Sequence, residues 1–149
     1  MAEVNGCPLP EDRLYYINPD KNAFIWVKEE GDGVFTIGLT SVASAMAGRL
    51  VAYTPKKVGK AVKKDKSVAT IESGKWVGPV PAPFEAEIVE VNDALKGNPA
   101  LVNDDPYGQG WIAKLKPADP EAAKAELVDA NKAAELLQPI VQEKGVKCG

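Results

Sequence analysis

Residues 70–77 read Thr-Ile-Glu-Ser-Gly-Lys-Trp-Val, a turn signal between two strand-like runs. The β-branched residues 68–71 alternate roughly as a strand does, and the stretch ends in strand-forming residues again. Between the two runs, Ser73-Gly74 is a turn signal, because glycine adopts positive φ without steric cost. The stretch therefore predicts a tight hairpin that holds Lys75 at or beside its tip.

Lys75 has two interpretations when only its spacing is considered. A lysine held out on a rigid hairpin suits the covalent attachment of a swinging cofactor, because the tip can enter the active site of another enzyme. The alternative is that Lys75, one of 16 lysines, simply solvates a turn, where lysines are common. Residues beyond the hairpin are needed to decide between them.

The sequence around this hairpin resembles the H protein of the glycine cleavage system. A Glu-Ser-x-Lys motif after an apolar strand is similar to the lipoylation site of that family, and residues 35–40 give a looser upstream match. The resemblance covers roughly residues 13–137. Downstream of the hairpin, the chain follows the family in order and spacing at residues 87–95, 98–103 and 105–116.

This resemblance implies a mainly β lipoyl carrier. The implied fold is the flattened two-sheet lipoyl domain, also called a barrel-sandwich hybrid, with a short helix and a C-terminal α-helix. A length of 149 residues is typical of one domain. We expect a single lipoyl-carrier domain over residues 1–149, with an irregular N-terminal arm at 1–12, a β core at 13–117, and a C-terminal helix and tail at 118–149.

The same resemblance implies an attachment site. Lipoate would be joined by an amide bond to Lys75, with Glu72, Ser73 and Gly74 as the motif that leads into it. Biotin carriers of similar fold resemble one another in a Met-Lys-Met tip, whereas Gly74 and Trp76 flank the lysine here. Lipoate is therefore the expected cofactor.

The chain departs from that family at positions that line its cofactor cleft. Where ordinary glycine cleavage H proteins have a Ser-His-Glu-Trp-like stretch, residues 23–26 read Ala-Phe-Ile-Trp, and Pro79 replaces an aspartate. An ammonium group held against protein needs an anion or hydrogen-bond acceptors. We expect Ala23, Ile25 and Pro79 to line the cleft, and their apolar character predicts a cargo other than an amine.

A second group of relatives has such a cargo. The sequence at residues 7–16 and 74–79, with the C-terminal Cys148, resembles the lipoate-binding proteins of sulfur oxidation. The implied function is a dithiol arm that shuttles sulfur-bound intermediates. The implied partners are a heterodisulfide-reductase-like complex, sulfurtransferases, dihydrolipoyl dehydrogenase and a lipoate-attaching enzyme. The alternative is an ordinary glycine cleavage H protein that carries an aminomethyl group.

The residue types also bear on catalysis. The chain has no histidine, which removes His-based triads, His general bases and His metal ligands. Only Cys7 and Cys148 could serve as nucleophiles, and each lies in a terminal segment that we expect to be flexible. We therefore expect a non-catalytic carrier without a metal site. For the two cysteines, a disulfide, two unpaired cytosolic thiols and a redox or sulfur-transfer role all stay open.

Charge and hydropathy limit which classes of partner and which cellular location we expect for the protein. The net charge is −3, and six lysines crowd into residues 56–66 without an interleaved aromatic residue, so a nucleic-acid partner is not expected. This lysine segment is either a solvated loop or a docking patch for an acidic partner. No apolar stretch approaches the roughly 20 residues that span a bilayer, and residues 1–10 lack the features of a signal peptide. We expect a cytoplasmic protein without a membrane partner.

Prolines restrict the segment after the hairpin. Pro79, Pro81 and Pro83 recur at every second residue and remove three N–H donors from one side of a strand. Such a segment is either an edge strand or a polyproline-like run.

Two sets of capping residues predict helices. Thr40 or Ser41 is expected to cap a short helix over 42–47. Asp119 is expected to cap the C-terminal helix, which Pro139 should end or kink.

Overall fold

The structure is a computed structural model that describes residues 2–148. Met1 and Gly149, the outer ends of the predicted arm and tail, lie outside the described residues. Within the described range the chain forms eleven β-strands. They are β1 (Ala2–Val4), β2 (Cys7–Leu9), β3 (Leu14–Asn18), β4 (Ala23–Gly31), β5 (Val34–Leu39), β6 (Leu50–Pro55), β7 (Ala61–Val62), β8 (Ser67–Ser73), β9 (Val77–Pro81), β10 (Ala86–Val91) and β11 (Ala113–Lys116).

Helices are short except for the last. No helix among residues 2–148 has the length and apolar character needed to cross a membrane. A 3-10 helix occupies Pro19–Lys21. The α-helices are α1 (Ser41–Ala47), α2 (Ala94–Gly97), α3 (Leu101–Asp104), α4 (Pro120–Lys124) and α5 (Ala130–Lys144).

The described strands form three antiparallel sheets. Six strands pair in the order β3-β4-β5-β11-β10-β7, three pair in the order β6-β8-β9, and β1 pairs with β2. Both larger sheets contribute buried side chains to one core, among them Trp26, Ile37, Ile71 and Val80. The predicted mainly β, two-sheet fold with a short helix and a C-terminal helix is confirmed.

The predicted hairpin is formed by β8 and β9, with Glu72 opposite Val77. β9 lies at the edge of its three-stranded sheet, and it contains Pro79 and Pro81. An edge strand tolerates proline because its outer side pairs with no neighbour. Of the two alternatives predicted from the prolines, the edge strand is therefore confirmed.

Helix α1 begins as its sequence predicts, and it ends at a glycine whose conformation is not the left-handed helical one expected at a helix end. The side chain of Thr40 accepts a hydrogen bond from the backbone N–H of Ala43 at 3.2 Å. At the other end, Gly48 has φ 82° and ψ −179°, a conformation that is essentially restricted to glycine. The helix predicted over 42–47 is confirmed, with one more residue at its start.

The N-terminal arm is not irregular, which corrects the expectation for 1–12. β1 and β2 form a hairpin around Asn5 and Gly6, whose φ angles are 49° and 82°. An Asn-Gly pair favours this kind of two-residue turn, so the sequence did contain the signal. The hairpin is anchored because Cys7 and Leu9 are both fully buried.

The C-terminal region contains two helices where the sequence predicts one. Asp119 caps α4 through its side chain, as predicted. The chain then leaves the helical path, and the backbone of Val128 pairs with that of Tyr15 in β3. This bridge to a distant strand satisfies backbone groups that would otherwise continue the helix, and α5 begins after it.

Pro139 lies inside α5, so the prediction that it ends the helix is wrong. Leu137 and Val141, on either side of the proline, are buried. Their packing holds the helix on the core and outweighs the hydrogen bond that proline removes.

A disulfide joins Cys7 to Cys148, with an S–S distance of 2.04 Å. Of the alternatives left open for the two cysteines, the structure shows the pairing, and the expected flexible, unpaired termini are corrected. The bond ties β2 to the segment that follows α5.

Candidate functional site

Lys75 lies in the two-residue loop between β8 and β9. The backbone N–H of Ser73 donates to the carbonyl of Trp76 at 2.7 Å, so only Gly74 and Lys75 lie between these paired residues. Lys75 is exposed. The hairpin thus presents a primary amine at a point that paired backbone fixes from both sides.

Ser73 braces this loop from inside. Its side chain is buried, and its Oγ accepts a hydrogen bond from the Lys75 N–H at 3.3 Å. The same Oγ donates to the carbonyl of Trp76 at 3.4 Å. Serine hydroxyls that bond to nearby backbone groups stabilise turns. Ser73 therefore positions Lys75.

Gly74 does not set the conformation of the turn. Its φ is not positive, so the reason for expecting glycine there is wrong. A Cβ built on Gly74 would meet no atom within 4 Å. The absent side chain leaves the outer side of the loop open to an approaching enzyme.

Glu72 is exposed on the outer face of the three-stranded sheet. It lies between Ala52 of β6 and Val77 of β9 in the strand register. Val51 and Val77 beside it are 63% and 60% exposed, which is unusual for large apolar side chains. This face gives a partner at the tip both a carboxylate and apolar contacts.

A cleft of about 640 Å³ opens beside Lys75. It lies between α1, the β8–β9 hairpin and the turn after α5. Most of its lining is apolar. The apolar lining residues are Phe24, Leu39, Ala43, Ala45, Met46, Ala47, Ile71, Trp76, Pro79, Pro81 and Val146.

The stem of Lys75 reaches the cleft by crossing the end of α1. A Cβ built on Gly48 would lie 2.9 Å from Cε of Lys75 and 3.7 Å from its Nζ. The glycine at this position therefore serves the helix end and also makes room for the lysine.

The structure corrects two of the three predicted cleft residues. Pro79 lines the cleft as expected, whereas Ala23 and Ile25 are fully buried and do not line it. Phe24 between them lines the cleft instead. Side chains alternate along a strand, so a strand that turns Phe24 toward the cleft turns both neighbours away.

All charged residues that line the cleft within the described chain are lysines. They are Lys75, Lys144 and Lys147, and no Asp or Glu lines it. Lys144 and Lys147 enter the site from the far end of the chain. No local pattern in the sequence places them beside Lys75.

The lysine segment, residues 56–66, is held by the sheet rather than being a free loop. It includes β7, which pairs with β10. Among residues 2–148, only Lys64 of its six lysines forms an ion pair, with Glu126 at 2.7 Å. The segment lies at the opposite end of β8 from Lys75, roughly 20 Å away at 3.3 Å per strand residue. Its use as a docking patch stays a prediction.

The described residues contain no group of three or more His, Cys, Asp or Glu side chains placed to hold a metal ion.

Comparisons with known proteins identify the family. The model of the glycine cleavage H-protein family matches residues 14–140. This chain belongs to the glycine cleavage H-protein family. Glycine cleavage system H protein 5 of Aquifex aeolicus is 91% identical to it over the full length of both chains. Probable glycine cleavage system H protein 2 of Sulfurisphaera tokodaii is 45% identical over 99% of this chain and 98% of its own.

The fold agrees with a solved member of the family. A crystal structure of a glycine cleavage system H protein from Mycobacterium marinum superposes with a TM-score of 0.72 at 31% identity. The match covers 93% of this chain and 100% of that one. Family membership confirms covalent lipoate on a lysine and a carrier role without catalysis. The relatives' names support the aminomethyl alternative more than the sulfur prediction.

Proposed function

We propose that Lys75 is the lysine that carries lipoate and that residues 1–149 act as one carrier domain. The observation that carries this proposal is the exposed amine in a two-residue loop, directly beside an apolar cleft. At about 640 Å³ the cleft falls within the range of about 300–1,000 Å³ usual for small-molecule sites.

The residues around Lys75 fit the lipoyl group. Phe24, Met46 and Trp76 offer apolar surface to a hydrocarbon stem and a dithiolane ring, and burial there is worth about 25 cal/mol per Å². When bound, lipoate supplies a dithiol on a long tether, and the protein supplies its position. Ser73 holds the attachment point, and the cleft shields the arm from water.

Two proteins would have to recognise the tip. A lipoate-attaching enzyme must reach Nζ of Lys75, and the open side of Gly74 and the exposed Glu72 lie where it would approach. Dihydrolipoyl dehydrogenase is the proposed partner that renews the arm. We place these encounters in the cytoplasm.

We further propose glycine cleavage as the process, with an aminomethyl group as the cargo. The names of the relatives support this choice over the others. The enzymes of glycine cleavage would then be the partners of the loaded arm.

A second cargo is favoured by one observation of the cleft. A positively charged aminomethyl group would meet Lys144 and Lys147, and no carboxylate of residues 2–148 lines the cleft. A neutral or anionic sulfur cargo would not be repelled there. Its partners would be sulfurtransferases and a heterodisulfide-reductase-like complex.

Peptide mapping tests the attachment. Purified chain is incubated with lipoate and a lipoate-attaching enzyme, and the modified peptide is located by mass spectrometry. We expect the lipoyl mass on the peptide that contains Lys75. A lipoyl mass confined to another lysine would contradict the proposal.

Loading experiments decide between the cargoes. The lipoylated protein receives glycine with the glycine-cleaving decarboxylase, and separately a persulfide donor with a sulfurtransferase. An aminomethyl mass on the arm supports glycine cleavage, whereas a sulfur adduct without it supports the second cargo.

Charge variants then test whether the charge of the cleft lysines selects the cargo. If the lysines repel an aminomethyl cargo, the Lys144→Glu, Lys147→Glu double variant should retain that cargo several-fold longer. Lys116→Glu, an exposed lysine outside the cleft, is the matched control. An equal lifetime in all three proteins would show that the cleft charge does not select the cargo.

A further inference from the structure

The Cys7–Cys148 disulfide anchors one wall of the cleft. Residues 144–147 line the cleft, and Cys148 follows them directly. Its partner, Cys7, lies in β2, at the other end of the chain. The bond therefore holds the last part of the chain, residues 145–148, against the N-terminal hairpin.

Besides the disulfide, the tail is held by a small set of hydrogen bonds and by Val146, which is buried in the hydrophobic core. The N–H of Val146 donates to the carbonyl of Val141 at the end of α5. The side chain of Asn5 donates to the carbonyl of Val146, and Gly6 packs against the backbone of Cys148. The anchor is thus the Asn5-Gly6 loop, the buried side chain of Val146 and the disulfide.

The tail also touches the opposite wall. Sγ of Cys148 lies 3.7 Å from the carbonyl oxygen of Ser41, the first residue of α1. Because Ala43, Met46 and Ala47 of α1 line the cleft, a change at this disulfide reaches two of its three walls.

The two sulfur atoms differ in access. Cys7 is fully buried, whereas Cys148 is partly exposed. We expect a thiolate from outside to attack at Cys148, so that Cys7 is the leaving group. This asymmetry gives reduction a defined direction.

We propose that the Cys7–Cys148 pair is a redox-active site for a dithiol reductant and that it acts as a latch on the arm cleft. When the pair is reduced, the tail at 145–148 leaves the cleft and the wall that it forms opens. The role of the latch rests on the proposed function of the cleft, but its chemistry does not.

The reaction balances as a thiol–disulfide exchange. A thiolate of the dithiol attacks Sγ of Cys148, the bond to Cys7 breaks, and Cys7 leaves as a thiolate that takes up a proton. The second thiol of the reductant then displaces Cys148 from the mixed disulfide. Two electrons and two protons pass to the protein, and the dithiol becomes a disulfide.

Dihydrolipoamide is the probe, and the test uses full-length protein in the Lys75→Arg background, which leaves no amine at that position. Native protein is incubated with the probe and alkylated, and its intact mass is measured by mass spectrometry. We expect two alkylated cysteines, with Cys148 found in any trapped mixed disulfide. A pair that reacts only after denaturation would overturn the proposal.

Hydrogen exchange tests the latch itself. On reduction, the amides of residues 146–148 should exchange at least about tenfold faster, while those of β4 and β5 stay unchanged. Cys148→Ser cannot form the disulfide, so its tail amides should exchange fast without the probe and should not change when the probe is added. Cys148→Ala should give the same result. Reduction with unchanged exchange in the tail would refute the latch. Failure of lipoylation at Lys75 would leave both results intact, so the two proposals fail separately.

Discussion

Glu72 is a surface residue that we expect to serve recognition by the lipoate-attaching enzyme. It is exposed, three residues before Lys75, and it forms no ion pair within residues 2–148. Replacing such a residue usually changes stability by no more than about 0.5 kcal/mol. We expect Glu72→Ala to melt like the parent and to be lipoylated more slowly. A large fall in melting temperature with normal lipoylation would reverse this interpretation.

Tyr53 provides a test of burial at a single side chain. Burial raises its pKa to about 12, and its hydroxyl donates to the carbonyl of Ile112 at 2.6 Å. Because the folded pKa exceeds the unfolded value of about 10, this stabilisation is complete below pH 10 and is lost as the pH rises toward 12. The loss should be on the order of 2 kcal/mol.

Urea unfolding at pH 8, 10 and 11.5 measures this effect. Tyr53→Phe should start less stable, because it leaves the Ile112 carbonyl without its donor, and should lose less stability than the parent above pH 10. Identical losses in both proteins would place the titration elsewhere.

At the residue scale, patterns between neighbouring residues predict the structure, whereas the sequence does not show which distant residues meet. A turn between two strand patterns predicts the hairpin that holds Lys75, whereas the choice of Lys75 for attachment and of Pro79 as a cleft residue comes from the family resemblance. Ala23 and Ile25 were misplaced because the face that a residue occupies depends on strand register, which sequence alone leaves open. Lys144 belongs to the site only because the fold returns the chain's end to it.

At the scale of elements, the junction of α1 with the cleft is the most sensitive. Gly48 has a conformation essentially restricted to glycine, and a Cβ there would press on Lys75. Gly48→Ala should cost about 1–3 kcal/mol of stability and slow lipoylation.

Gly97→Ala is the matched control, because φ there is not positive and an added Cβ meets no atom within 4 Å. Denaturant unfolding should show a change within about 0.5 kcal/mol for this control. Equal effects of the two substitutions would contradict the role given to Gly48.

Elements with short-range signals agree with prediction. The β8–β9 hairpin, its proline-rich edge and the Thr40 cap each depend on neighbours in sequence. The C-terminal helix was predicted as one because its interruption depends on pairing between Val128 and Tyr15, residues far apart in the chain. The β1–β2 hairpin also has a short-range signal, the Asn5-Gly6 pair that favours a two-residue turn.

At the scale of the whole molecule, the lysine segment lies at one end of the protein, and the disulfide lies at the other end, beside the cleft. The lysine segment holds six of the 16 lysines at one end of β8, and Lys75 lies at the other. A partner held at the lysine segment would leave the arm free. The disulfide closes the chain on the side of the cleft, and neither feature follows from a local pattern.

The intact mass of the Lys75→Arg variant tests whether Lys75 carries the lipoyl group. Arginine keeps the positive charge but has no amine that can be acylated. After incubation with lipoate and the attaching enzyme, the parent and the control Lys116→Arg should each gain one lipoyl group, and Lys75→Arg should gain none. A lipoyl mass on Lys75→Arg would contradict the attachment of lipoate to Lys75.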